Sequence, residues 1–335
     1  MKLRALLAGL ATTAIIAINP ALAQEKTLRM ATAAPEDTIW QQHFDRFAAD
    51  VAEETEGRVK IDVFYNSQLG NEQTVISQVV RGRIDMSANG VGPMADQLTD
   101  AYLISLLFFY DDLAVRSCVL DAMKDDYRDM ILPTGIRFLD WAEVGTAQLA
   151  AKEQVTSPEQ IRGKRMGVTA TKISNLYWEM QGAIPVNTPV TDVAANLSTG
   201  LIDIYPSIPI FYVFAGINKL APVWNEINYL LSPGAIVISD RVWQELAEED
   251  RAGIERALAR HPAADRSAEF FAVEKAVVGM HLEAGGTVHT STDAEQAAWR
   301  SIVPEYYEQV MELVSPEGRI FFGKMQDAKA TCEAS

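Results

Sequence analysis

Apolar residues recur along this chain in two rhythms that take turns. Residues 40–56 carry Trp40, Phe44, Phe47, Ala48 and Val51 at the spacing of one helix face, and "GRVKIDVFY" (57–65) then alternates residue by residue like a half-buried strand. "NSQLG" reads as a turn, residues 71–80 as a second helix ended by Gly82, and "IDMSANG" as the next strand. Ahead of them, "TLRMATAA" (27–34) is a strand that runs into the loop "PEDTIW". The succession returns after "FLDWAEVG" (138–145). A short helix capped by Ser157 in "SPEQIRG" precedes the strand "KRMGVTA" and the helix "TKISNLYWEMQG". The strand "IPVNTPV", the helix "TDVAANLSTG" and the strand "LIDIYPS" follow, then "GAIVISDRVWQEL" as strand and helix, then helical pattern to about Gly286. Strands that alternate with amphipathic helices predict βαβ units and a mostly parallel sheet.

One phrase is written twice. "RGRIDMSANG" (81–90) and "TGLIDIYPSI" (199–208) align Asp85 with Asp203, and the apolar face Val75, Ile76, Val79 before Gly82 matches Val193, Ala194, Leu197 before Gly200. Two halves of one design are implied. In open α/β sheets ligands sit beyond the carboxyl ends of the strands. Asn89 and Ser207, each at such an end, are therefore expected on opposite walls of one cleft that closes by hinge motion.

Residues 1–23 read as a secretory signal peptide: Lys2 and Arg4, an apolar stretch, and Ala21-Leu22-Ala23 as the cleavage site. Asn19 and Pro20 cut the apolar run short of the ~20 residues of a membrane span. An exported periplasmic protein is expected. The formal net charge of −16 argues against a nucleic-acid partner, whose phosphates would be repelled. Cys118 and Cys332 are the only cysteines, and in an oxidising compartment they are expected to pair. His43, His261, His281 and His289 have no metal-ligand spacing, with the last three expected at the surface, and no metal or cofactor is implied. H-E-x-x-H, G-x-S-x-G and C-x-x-C do not occur, and "GVGPMA" (90–95) with its Pro93 makes a poor dinucleotide fingerprint. An exported hydrolase, the rival from another class, would need a nucleophile–base pair that the sequence does not offer.

Four segments resemble a known family: "LRMATAAPEDTIW", "GRVKIDVFYNSQLGNEQTVISQVVRGRIDM", "LLFFYDDLAVRSCVLD" and "SPEQIRGKRMGV". They are similar to the matching segments of the DctP-type extracytoplasmic solute receptors of TRAP transporters, from about residue 27 to about residue 310. The resemblance implies a two-lobed periplasmic solute-binding fold, two α/β domains around a ligand cleft with a long domain-spanning helix. Domain I would comprise 24–144 and about 233–272, and domain II 145–232 and about 273–335. The family captures a small solute, hands it to small and large integral-membrane subunits, and catalyses nothing. A monomer is expected.

The departures from the family concern the cleft. Anchored on Gly163, the family's carboxylate-gripping arginine falls on Gly167. A second arginine position falls on Ala147, and a ligand asparagine on Ser207. Arg165, two residues before Gly167, or Lys172 at a helix start is the available substitute cation. Candidate cleft residues are Glu36, Trp40, Glu72 and Asn89 from the first half, and Trp141, Glu143, Thr169, Thr171, Tyr205 and Ser207 from the second. Tyr205, before Pro206 at a strand end, is the leading candidate. Trp40 fits core packing as well as ligand stacking, Glu36 a helix N-terminus, Glu143 a hinge, and Asn89 a turn beside Gly90. With carboxylates and aromatic rings but no arginine, the favoured solute is a small amine or neutral polar molecule. The alternative is a small organic acid, carboxylate or sulfonate, as in most of the family.

Overall fold

The computed structural model describes residues 25–168 and 171–334. The signal-peptide reading and Thr169 lie outside the described residues. Among the described residues nine strands follow in chain order: β1 (Lys26–Ala31), β2 (Val59–Phe64), β3 (Met86–Gly90), β4 (Ile136–Ala151), β5 (Arg165–Val168), β6 (Ile184–Asn187), β7 (Ile204–Ser207), β8 (Val223–Ser239) and β9 (Thr287–Thr290). They join in one sheet ordered β2-β1-β3-β8-β4-β7-β5-β6, with β9 also on β8.

Each lobe is built on a parallel core, β2-β1-β3 in one and β6-β5-β7 in the other. Between them β4 and β8 run antiparallel for their whole length, from Ile136↔Ser239 to Ala151↔Val223. β3 pairs with the last turns of β8, and β7 with the end of β4, so the two long strands cross from lobe to lobe. "FLDWAEVG" and "GAIVIS" are thus only parts of strands 16 and 17 residues long. Bulges between Phe138 and Asp140, Glu143 and Gly145, and Ala147 and Leu149 break the alternation that would have revealed the full length of β4.

The helices follow the apolar spacing. Ile39–Glu54 buries Trp40, Phe44, Phe47 and Val51, and Glu72–Val80 buries Val75, Ile76 and Val79. Asn71 caps the latter by accepting the Thr74 N–H at 2.9 Å. Gly82 (φ +60°) and Gly200 (φ +71°) stop the two echoed helices in the left-handed conformation that glycine adopts without strain. Asp85 and Asp203 have matching tasks. Asp85 accepts the backbone N–H of Arg29 at 2.8 Å, and Asp203 that of Arg165 at 2.9 Å, in each lobe fixing the middle strand of the parallel core to the inner one. The repeated phrase is therefore a scaffold instruction: stop the helix, turn, tie two parallel strands together, and end at the cleft.

The long helix Ala263–Glu283 packs along β4 and against the helix Pro209–Phe214, spanning the lobes. His281 on this helix is buried rather than at the surface, its Nε2 3.3 Å from the Tyr212 hydroxyl. The C-terminal helix Pro316–Glu333, which the family resemblance groups with domain II, packs on Leu113–Ala122. There the Cys118 and Cys332 sulfurs are bonded, and Ser315 at the helix start donates its N–H to Asp100 at 3.0 Å.

Candidate functional site

A cavity of about 210 Å³ lies between the lobes, against the middle of β4. The carboxyl ends of β3 and β7 form its facing walls, with Asn89 on one and Tyr205 and Ser207 on the other. Trp40, Glu72 and Glu143 also line it. The structure thus brings together six of the ten candidates. Tyr102, Ser105, Trp178, Tyr229 and Ser232 are also in the lining and were not singled out from sequence.

Three of the other candidates stand elsewhere. Glu36 is exposed in its loop, where it accepts a hydrogen bond from Asn66 Nδ2 at 3.0 Å. Trp141 turns into the core against Phe138 and Tyr127, and its indole N–H is taken by the Leu120 carbonyl at 2.8 Å. Thr171 caps the helix Lys172–Met180 by accepting the Ser174 N–H at 3.0 Å. Neither substitute cation reaches the cavity wall. Lys172 is exposed on the first helical turn. Arg165 sits at the far end of β5, its guanidinium forked on Asp203 at 2.8 and 3.0 Å.

Within the cavity, several groups are already engaged. Glu143 is held by Arg116, which is buried beneath it, through two hydrogen bonds of 2.7 and 2.9 Å. Ser267 Oγ and the Val144 N–H donate to the same carboxylate. Both oxygens are therefore occupied, and the pair carries no net charge to the cavity. Arg116 escaped the sequence reading, yet there was a signal. It shares a helix face with Val119 and Leu120, where a cation is tolerated only if paired. Trp40 gives its indole N–H to the Glu143 carbonyl at 2.7 Å, and its ring meets Phe211 and Phe270. Asn89 accepts the Ala33 N–H at 2.8 Å and donates to Ser87 Oγ at 2.8 Å, so it shapes the first wall from within. Just past Glu143, Glu274 of the long helix accepts both the N–H and the hydroxyl of Thr146 at 2.9 Å. Burial pushes its carboxyl up to about 7 against those two bonds. Gly145 (φ +125°) makes this approach possible, because a Cβ there would overlap Glu274 Oε1.

Other groups remain open. The hydroxyls of Tyr205, Tyr229, Ser105 and Ser232 and the Trp178 indole N–H have no hydrogen-bond partner among the described residues. Tyr205 is held above the ordinary phenol range by burial and by the charge of Glu72 across the cavity. Burial pushes Glu72 itself up to about 7, opposed by one N–H from Gly90 at 3.3 Å. The arginine position at Gly167 is not vacant space. A Cβ there would come within 2.7 Å of Ile202 Cδ1 and 3.0 Å of Tyr205 Cδ2, so the tyrosine ring closes over the glycine. Among the described residues of the lining there is no arginine, lysine or histidine.

The amine preference loses its anionic basis here. It counted Glu36, Glu72, Glu143, Trp40, Trp141 and Tyr205 as an anionic and aromatic wall, of which Trp40 and Tyr205 keep their places. Glu36 and Trp141 are absent from that wall, Glu143 is neutralised by Arg116, and Glu72 sits where burial disfavours its charge.

Over residues 30–313 the chain matches the family model DctP, bacterial extracellular solute-binding protein, family 7. It is 23% identical over 313 residues to the C4-dicarboxylate-binding periplasmic protein DctP of Rhodobacter capsulatus, covering 92% of this chain and 93% of that one. Among solved structures, a TRAP periplasmic solute-binding protein of Roseobacter denitrificans with bound β-D-glucuronate superposes with a TM-score of 0.84 at 21% identity, over 90% of this chain and 99% of the other. A second from the same species, with bound L-galactonate, gives 0.82 at 22% identity, over the same 90% and 99%.

Proposed function

Because the chain belongs to family 7 of the bacterial extracellular solute-binding proteins, the DctP family, we propose that it captures a small hydroxylated organic acid between its lobes. Members of the family are periplasmic receptors rather than enzymes, and they pass solutes to TRAP membrane subunits. No helix of the described residues is long and apolar enough to cross a membrane. The observation that carries the choice of solute is the saturation of Glu143 by Arg116, Ser267 and the Val144 N–H. It removes the fixed anion an ammonium group would need. What is left in the lining is a set of unengaged O–H and N–H donors, which favours a solute rich in acceptors. Carboxylate and hydroxyl oxygens are such acceptors, and hydrogen bonds to an ionised carboxylate are roughly twice as strong as neutral ones. The relatives solved with glucuronate and galactonate point the same way. The cavity's volume of about 210 Å³ is on the scale of one small metabolite.

A thermal-shift screen tests this reading, since a ligand that binds only the folded state raises the melting temperature. D-glucuronate, D-galacturonate and L-galactonate are compared with neutral sugars of matched size and with small amines and amino alcohols. Stabilisation by the acids above the other two groups is expected. Stabilisation by amines alone would overturn it.

A further inference from the structure

An arginine in a solute cleft supplies two things together, positive charge and hydrogen-bond donors. This lining has no cation among its described residues, but it has a carboxyl group placed to carry a proton. Glu72 opens the helix Glu72–Val80 and faces the cavity across from Tyr205. Its Oε1 accepts the Gly90 N–H, and its Oε2 has no partner among the described residues. Its own helix carries no other titratable group. The elements around it bring Asp96 on the segment Gly92–Asp96, Glu143 on β4, Tyr205 on β7 and Tyr229 on β8. None is a cation, and Glu143 is bound to Arg116. With burial unopposed by any positive charge, the carboxyl titrates near neutrality, at about 7. The protonated form is a donor as well as an acceptor.

We propose that Glu72 is the specificity-determining residue of this cleft and meets the solute's carboxylate in its protonated form, giving the hydrogen bond that an arginine would otherwise give. The inference rests on the organic-acid reading above. When the acid enters, two carboxyl groups share one proton across a single O–H···O contact, because two like charges side by side do not both stay ionised. A receptor molecule whose Glu72 is already protonated takes up nothing. One whose Glu72 is ionised takes a proton from water, and no other bond is made or broken. The sign is therefore fixed: acids bind more weakly as pH rises through neutrality. A cationic solute would show the opposite trend, since it needs Glu72 ionised.

The test is calorimetric titration of the purified protein with D-glucuronate, D-galacturonate and L-galactonate in turn, at pH 6 and pH 8, in two buffers of different ionisation heat. For a group titrating at about 7, the dissociation constant should rise about tenfold from pH 6 to pH 8. The buffer-dependent heat at pH 8 should report about one proton taken up per solute. Glu72→Gln keeps an N–H donor and has nothing to titrate, so both the pH dependence and the buffer-dependent heat should vanish while acid binding persists at pH 8. The proton count on the unmodified protein stands even if that variant folds poorly. Acid binding with no proton uptake and a flat pH response would overturn the role of Glu72 and leave the organic-acid reading intact. Failure of all three acids to bind at either pH would overturn both.

Discussion

The two walls of the cleft are written in the same phrase and end differently. On the first, the strand after Asp85 finishes in Asn89, whose amide is consumed by Ala33 and Ser87. On the second, the strand after Asp203 finishes in Tyr205 and Ser207, and the Tyr205 hydroxyl has no partner among the described residues. Up to the strand end the halves are interchangeable: a glycine stop, an aspartate on the neighbouring strand's N–H, a parallel pair. Beyond it, one half builds its own wall and the other is left open to the cavity. A repeated scaffold thus does not imply a repeated contact, and the polar residue at a strand end has to be followed to its hydrogen-bond partners before it is assigned to a ligand.

Four substitutions probe that division. The largest effect is expected beneath both walls, at Arg116→Leu, which leaves the Glu143 carboxylate buried without its partner. Breaking a buried ion pair from one side costs about 3–5 kcal/mol. Urea denaturation should show a loss of that size, and a loss under about 1 kcal/mol would mean that the pair does not hold the floor of the cleft. Next, the walls should separate. Asn89→Ala strands the Ala33 N–H and should lower stability by about 1–3 kcal/mol. Tyr205→Phe should change stability by no more than about 0.5 kcal/mol while weakening solute binding about fivefold, the value of one hydrogen bond of about 1 kcal/mol. If Asn89→Ala proved silent in denaturation and Tyr205→Phe severe, the assignment of the walls would be reversed. The smallest effect belongs to the shared element. Asp203→Asn removes a partly exposed pair with Arg165 and should cost under about 1 kcal/mol. The hydrogen bond from Arg165 holds the Asp203 carboxyl below its ordinary value. Its contribution is therefore present above the unfolded value of ~3.9 and fades as pH falls through the lower folded one. Wild type and variant melting curves should differ at pH 6 and converge in acid. A gap that persists at pH 2 would assign the effect to something other than this ion pair.

The comparison also explains what was legible in the sequence. Helices such as Ile39–Glu54 and the echoed βαβ units could be read because each buries one regular face, which leaves its period in the chain. β4 could not be read at full length, since three register shifts disturb its alternation and its burial changes as it passes from lobe to lobe. Strand-end position brought out Asn89, Tyr205 and Ser207, and a place just after "QLG" brought out Glu72. Their roles were hidden because charge in a cleft is a property of pairs. Glu143 appears anionic until Arg116, far away in the chain, is placed beneath it. Gly167 appears to be an empty arginine position until Tyr205 is seen to cover it. Trp141 fails as a cleft residue for a related reason, since helices lie over the part of β4 that carries it.

The bond between Cys118 and Cys332 also imposes an order on the making of the molecule. The two sulfurs are 214 residues apart, so a chain made from its N-terminus presents the first thiol long before the second exists. Through that interval Cys118 stands on an exposed position of Leu113–Ala122, without the C-terminal helix that will cover the neighbouring surface. The clasp closes only when the helix Pro316–Glu333 has docked beside it, after the cleft residues of both walls have been made. A chain that stops before Cys332 keeps Cys118 as an unpaired thiol, where the bonded one has none. The oxidation state of a single cysteine therefore distinguishes finished receptors from unfinished ones.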